Sequence, residues 1–421
     1  MSIQQLTVDL ASEDAQTRIN ASDALCVAAE QGEDVALAIP AAGTALSDGE
    51  EAVRANTAWL VAFLAEHGVD LSPILAELAT ALTATPLPVR SNVAWAIRCT
   101  ATKADVSVVI PALVQALADK EAGANASGAL ACAITFEASR EASCTALEGA
   151  LEHQSPDVVL KSAALLAGHH GGLQGWDRVL SLVEDEREWV RFGGLIGVVR
   201  AAKVGEAPPT EVVAGVGECL GNEVSRVRIR AATTLIEVAE LGYGTEAALP
   251  ALASALVDTD LQVRKECIWA LYCAARNGTD LGDALASLEQ CLEDKDGSVR
   301  GNSAIGVGRH YLNVGREVDA LALLEKETFG AAWAFADHCC MTGDKEPLKR
   351  IVRTLQPGFG ARDQGIRRGI ATAIHNAADK KPDGSRAVQA VQEVLSELPD
   401  EPIAQSAVGG IFMALRQLQR R

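Results

Sequence analysis

Apolar residues recur along this chain in two alternating arrangements, and each predicts a helix. In the first, runs such as Ile110-Pro111-Ala112-Leu113-Val114-Gln115-Ala116-Leu117 and Leu249-Pro250-Ala251-Leu252-Ala253-Ser254-Ala255-Leu256 place leucines three or four residues apart. Proline is tolerated in such a first turn, where its missing N–H would have had no partner. A short acidic turn follows, as in Asp258-Thr259-Asp260 or Asp294-Lys295-Asp296-Gly297, and an aspartate there can cap the next helix. The second arrangement opens on a valine–arginine pair and carries Ala or Leu at the third, fourth and seventh positions beyond the arginine, a stripe that must be buried against neighbours. No stretch alternates with the strand period over a useful length. The fold class predicted is all-α.

The two arrangements repeat. Val53-Arg54-Ala55-Asn56-Thr57-Ala58-Trp59-Leu60, Val89-Arg90-Ser91-Asn92-Val93-Ala94-Trp95-Ala96, Val227-Arg228-Ile229-Arg230-Ala231-Ala232, Val263-Arg264-Lys265-Glu266-Cys267-Ile268-Trp269-Ala270 and Val299-Arg300-Gly301-Asn302-Ser303-Ala304 share one register. Arg54 and Arg90 are 36 residues apart, as are Arg264 and Arg300; Arg18 precedes Arg54, and Arg228 precedes Arg264, by the same interval. Looser copies lie around Asn125, at Val159-Leu160-Lys161 and at Val190-Arg191, and the most degraded at Ala332-Trp333-Ala334, Ile366-Arg367-Arg368 and Ile403-Ala404-Gln405. A period of this length marks stacked two-helix units, here roughly eleven or twelve.

The P-x-L-x-x-x-L helix, the Asp-rich turn and the V-R-x-x-A-x-x-A-L helix resemble a HEAT repeat. The variants at Trp95 and Trp269 also look like the armadillo relative, and units this short are similar to the HEAT-like repeats of phycobilisome lyase proteins. The resemblance implies a right-handed α-α superhelix, a HEAT/armadillo-like solenoid. It leaves function open, because such solenoids serve as scaffolds, transport receptors, lyases and hydroxylases. We expect one solenoid over residues 1–421 with a soft boundary near 203–211, at Glu206-Ala207-Pro208-Pro209-Thr210, separating repeats 1–204 from 205–421.

Composition narrows the partners. A chain of 421 residues could hold two or three globular domains, but an uninterrupted array predicts one elongated body. An apolar share of 48% with only 4% aromatics suits closely packed small helices. A formal charge of −19 argues against nucleic acid, since phosphate binding needs a basic footprint. Arginine outnumbers lysine more than two to one, and this acidic, lysine-poor composition resembles that of proteins from salt-loving archaea; an ordinary acidic scaffold from a GC-rich organism is the alternative. No apolar run reaches membrane-spanning length, and Met1-Ser2-Ile3-Gln4-Gln5 has no basic-then-hydrophobic leader, so a soluble cytoplasmic protein without membrane insertion is expected.

Candidate chemistry is sparse. The ten cysteines form no C-x-x-C, and Cys26, Cys99, Cys132, Cys267 and Cys273 fall in apolar helical segments, where cysteine acts as a small hydrophobe. In His338-Cys339-Cys340 adjacent helical residues point about a hundred degrees apart, which disfavours a shared metal. Deoxyhypusine hydroxylase, a HEAT-repeat enzyme, holds its di-iron centre through His-Glu pairs, and no His-Glu dipeptide occurs here. Gly215-Val216-Gly217-Glu218-Cys219-Leu220-Gly221 follows no strand and so lacks the context of a phosphate loop. Gly168-His169-His170-Gly171-Gly172, ahead of Trp176-Asp177, reads as an exposed turn between helices, and Pro357 to Arg368 as a basic turn that breaks the repeat. No catalytic residue, cofactor or metal is predicted.

What remains is the face that the second helices share. If the third, fourth and seventh positions beyond the arginine face the core, the second and fifth project side by side, one helical turn apart. The second position holds Asn20, Asn56, Asn92 and Asn302, with Asn125 near the same register and Glu266 in the Arg264 unit; the fifth holds Trp59, Trp95 and Trp269. Asparagine lowers helix propensity, so its recurrence in mid-helix asks for another reason. Its amide both donates and accepts, which suits the backbone of an extended peptide, and the indoles would wall its side chains. This looks like the Asn and Trp ladder of armadillo peptide receptors, with the order reversed. The alternative is that the asparagines bridge neighbouring helices and the tryptophans are core. By the HEAT resemblance, Arg54, Arg90, Arg228, Arg264 and Arg300 would pair with turn aspartates and hold the stack together. The expectation is a non-enzymatic adaptor binding protein partners, including an extended peptide segment, along its concave groove, with archaeal signalling or motility as a setting. The rival is an enzyme or chaperone-like modifier resembling the phycobilisome lyases, which would show a deep pocket with converging acid and base groups.

Overall fold

Twenty-two α-helices and no strands make up a computed structural model that describes residues 1–84, 87–353 and 385–397. The degraded units at Ile366-Arg367-Arg368 and Ile403-Ala404-Gln405, and the basic stretch 357–368, lie outside the described residues. The helices come in pairs: α1 (Ile3–Asp9) with α2 (Ala15–Glu30), α3 (Ile39–Ala45) with α4 (Glu51–Glu66), α5 (Leu75–Ala84) with α6 (Leu87–Thr100), α7 (Ile110–Ala116) with α8 (Gly123–Thr135), α9 (Glu137–Ala150) with α10 (Pro156–Gly172), and α11 (Trp176–Val183) with α12 (Glu188–Lys203). Then follow α13 (Thr210–Glu218) with α14 (Ser225–Glu240), α15 (Leu249–Ala255) with α16 (Leu261–Arg276), α17 (Ala284–Gln290) with α18 (Gly297–Asn313), α19 (Glu317–Lys326) with α20 (Thr328–Thr342), then α21 (Glu346–Arg353) and α22 (Ser385–Glu397).

The first helix of a pair is short and the second long, for reasons visible in the residues. Pro40, Pro111 and Pro250 sit in the first turn of α3, α7 and α15, where no N–H is needed. The second helices start on the acidic turn: Asp14 accepts from the Thr17 amide, Asp260 from Gln262, and Asp296 from Ser298 and Val299. Such caps are worth about 1 kcal/mol each. They end where Gly68 and Gly278 adopt φ of +88° and +90°, the left-handed conformation that closes a helix at little cost only for glycine.

The chain divides into two compact units, Met1–Pro208 and Pro209–Arg421, and the division falls inside Glu206-Ala207-Pro208-Pro209-Thr210. In the first unit α2, α4, α6, α8, α10 and α12 pack each on the next; in the second, α14, α16, α18 and α20 do the same. The core lies between the paired layers. In α4, Thr57, Ala58, Leu60 and Val61 are wholly buried, and in α16 Cys267, Ile268 and Leu271 are. Burying one such aliphatic side chain contributes roughly 1.5–3 kcal/mol.

The closest helix contact joins α10 and α12, and it corrects one reading of the sequence. Gly168-His169-His170-Gly171-Gly172 is not a turn: it forms the last turn of α10. Its glycines, which looked like loop residues, let the helices approach, since a Cβ on Gly171 would lie 2.5 Å from the Ala201 Cβ. Gly193 does the same from the other side, where an added Cβ would meet the Ala163 Cβ at 2.5 Å.

Candidate functional site

The turns between paired helices carry a chain of charged contacts. Arg18 grips Asp48 through both carboxylate oxygens, at 2.7 and 3.0 Å, and its other terminal nitrogen donates to the Ser12 and Glu13 carbonyls. Arg228 does the same with Asp258, at 2.7 and 2.9 Å, and with the Asn222 and Glu223 carbonyls. Arg90 meets Asp119 at 2.6 Å, Arg264 meets Asp294 at 3.3 Å, and Arg300 donates to Glu327 at 2.7 Å. Three of these aspartates serve two repeats. Asp48, Asp258 and Asp294 take one arginine on the side chain, while their backbone carbonyls accept from the next one, Arg54, Arg264 and Arg300. Burial works against the charge of Asp258, but the Arg228 fork and the Asp260 amide outweigh it and hold the carboxyl below its ordinary range. For Arg54 the next acidic position is Ala84, and Arg54 Nε has no hydrogen-bond partner among the described residues.

On the second helices the residues after these arginines divide by burial. At the second position Asn20 is exposed, and Asn56, Asn92, Asn125, Glu266 and Asn302 are half-buried; at the fifth, Trp59, Trp95 and Trp269 are half-buried. The Asn56 amide donates to Ser22 Oγ on the preceding second helix at 3.0 Å, and Asn125 reaches the Ser91 carbonyl at 3.3 Å. Asn20 Oδ1 accepts from Gln16, and Glu266 accepts from Gln262, within their own helices. The indoles are neither core nor free. Trp59 stacks on Phe63 at 5.0 Å, the Arg98 guanidinium lies 5.2 Å from the Trp95 ring, and Trp269 lies 4.7 Å from Tyr272.

A third cluster escaped the sequence reading. Asp337 of α20 is wholly buried, Arg309 of α18 is 3% exposed, and Tyr272 and Arg276 come from α16. Arg309 Nη1 lies 3.6 Å from Asp337 Oδ2, and Arg276 Nε lies 3.9 Å from Oδ1, both beyond hydrogen-bond length. Attraction at such distances is worth roughly 4 kcal/mol at an effective dielectric near 20, while stripping water from each ion costs several. The cluster is therefore a poor device for stability. Burial and the Asp337 carboxylate push the Tyr272 phenol up. Burial, with Arg309 nearby, pushes the His338 imidazole down, so it is neutral at pH 7. Cys339 is buried in the same helix, its thiol pushed up to about 12 by burial. Among the described residues no group of three or more His, Cys, Asp or Glu is arranged to hold a metal ion.

The family model of HEAT repeats matches residues 213–308, which span the helices from α13 into α18. No curated protein matches the sequence. Among solved structures the chain is similar to HEAT solenoids: Kap95 in a Kap95:Nup1 complex, with TM-score 0.54, 14% identity and coverage of 99% of this chain and 61% of that one; yeast importin-beta (Kap95p), with 0.52, 15%, 98% and 56%; and Kap121p, with 0.51, 12%, 99% and 58%. The chain thus spans about three-fifths of the length of these proteins. At such identities the likeness shows the fold, a HEAT-repeat solenoid of paired helices. Among the described residues no helix is long and apolar enough to cross a membrane.

Proposed function

We propose that this chain is a non-enzymatic scaffold that binds protein partners along the face formed by its second helices. One observation carries the reading. At one register, α4, α6 and α16 bury the third, fourth and seventh positions beyond the arginine and leave a polar side chain and an indole half-exposed at the second and fifth. Burial alone gives no reason for tryptophan at a half-wet position, and tryptophan is enriched where protein surfaces anchor one another. Asn56 and Asn125 each spend a donor on the neighbouring helix, which fixes the amide and leaves its oxygen to accept from a partner backbone.

The acidic, arginine-rich composition supports a salt-adapted archaeal setting, and we place the adaptor in the cytoplasm, in signalling or motility assemblies. The charge of −19 favours protein partners over nucleic acid. The test is affinity capture at high salt with the wild-type chain and with the pair Asn56→Ala and Asn92→Ala, once circular dichroism shows both folded. A specific partner lost with the pair supports the reading. A small molecule retained with no protein partner would overturn it in favour of a modifying enzyme.

A further inference from the structure

The Arg276–Arg309–Asp337 cluster holds more positive charge than it neutralises. Two guanidiniums converge on a single carboxylate, a local excess of one positive charge in a chain whose formal charge is −19. Arg309 Nε and Nη1 and Arg276 Nε are buried without a hydrogen-bond acceptor among the described residues. Arg309 donates to the Arg276 carbonyl at a long 3.4 Å. A guanidinium is a rigid fork built for paired oxygens, and these two meet Asp337 only beyond hydrogen-bond reach.

The cluster has an edge that water reaches. Arg309 lies inside, but the Arg276 side chain keeps 20% of its surface and touches the Met341 sulfur, itself on a residue 39% exposed. Trp269 stands seven residues before Arg276 on α16, two turns along the same face, with Tyr272 between them. A half-exposed indole and a partly exposed arginine, two turns apart on one helix face over the buried Tyr272, form the kind of set that anchors a partner.

We propose that this face of the second unit binds an acidic side chain of a partner protein at the water-accessible part of Arg276, above the charge that buried Arg309 adds, with an apolar residue of the same partner segment packed on Trp269. The apolar wall of Trp269 and Met341 selects a polypeptide over a bare anion. The spacing sets the motif: seven helical residues span about 10.5 Å, which an extended chain covers in roughly three residues. The carboxylate and the apolar residue are therefore about three positions apart. This assignment rests on the adaptor reading and gives it a partner chemistry.

The test is to pan a displayed library of random dodecapeptides on the full-length chain and to measure a synthesised winner by fluorescence anisotropy. We expect enriched peptides to carry Asp or Glu about three residues from an aromatic or aliphatic one. Affinity should fall about tenfold when that acid is changed to its amide, and about tenfold with Arg276→Gln, while Lys326→Ala, at an exposed position outside the proposed site, leaves it unchanged. Arg276→Lys, which keeps the charge but not the fork, should lose affinity too, and it serves if the glutamine variant does not fold. Enriched peptides without an acid, or affinity indifferent to both Arg276 variants, overturn the site. If those peptides are instead weakened by Asn56→Ala and Asn92→Ala, the adaptor reading stands and this site falls; if nothing is enriched, both fall. Sodium sulfate competing as well as the peptide would reassign the cluster to a bare oxyanion and overturn the partner assignment.

Discussion

Replacing Arg228 by alanine should destabilise the second unit by about 2 kcal/mol, a value bracketed by the buried and exposed limits for ion pairs. The Arg228 and Asp258 side chains keep only 13% and 11% of their surface. Four hydrogen bonds of 2.7 to 3.1 Å leave with the guanidinium, and among the described residues the Asp258 carboxylate keeps the Asp260 amide, at 2.7 Å. The main cost comes from the carboxylate stranded without its partner, so Arg228→Ala with Asp258→Ala should be less destabilised than the sum of the single variants, by about 1 kcal/mol or more. As a control, Lys326→Ala removes an exposed pair with Glu293 at 3.4 Å and should cost no more than about 0.5 kcal/mol. Urea denaturation followed by far-ultraviolet circular dichroism measures all four, provided that the slope is unchanged. The pair also sets a pH dependence. The Asp258 carboxyl is held below 3.8 in the folded chain, so its contribution is complete above that value and is lost as pH falls through the lower, folded value. The gap between wild type and Arg228→Ala should therefore close in acid below pH 3.8. A loss in Arg228→Ala no larger than in Lys326→Ala, or strict additivity in the cycle, would refute the argument.

Other outcomes follow from single contacts. Gly193→Ala should cost about 2–3 kcal/mol because its Cβ meets α10 at once, whereas Gly301→Ala in α18, with open space at its Cβ, should be neutral or stabilising by up to about 1 kcal/mol; melting temperatures separate the two. Asp337→Asn should destabilise by about 3 kcal/mol, since it strands two guanidiniums, and urea midpoints report it. Ellman's reagent on the native chain near pH 8 should label half-buried Cys99 well before Cys267, which is fully buried with its thiol pushed up to about 12, and unfolding should equalise them. Asn56→Ala should cost about 1 kcal/mol of stability through loss of the Ser22 contact, measured in urea.

The periodic part of this molecule was legible in one dimension. A 36-residue recurrence of Val-Arg, with apolar residues on one helical stripe, determines paired helices because a helix with that stripe must bury it and the nearest surface is the next copy. The division of α4, α6 and α16 into buried third and fourth and half-exposed second and fifth positions follows from the same 3.6-residue period. Local chemistry misled where one residue type has two uses. The glycines of Gly168-His169-His170-Gly171-Gly172 suggest a turn, and only the nearness of Ala201 explains why they stay helical. Tertiary structure alone decided one set of charges. Arg228 and Asp258 keep the thirty-residue spacing of the repeat, but Arg276, Arg309 and Asp337 come from three successive pairs at unequal positions in the repeat, so no spacing joins them. A repeat encodes what each unit does alike; where a charge departs from the repeat, its partner is set by which side chains the stacked helices bring within a few ångströms.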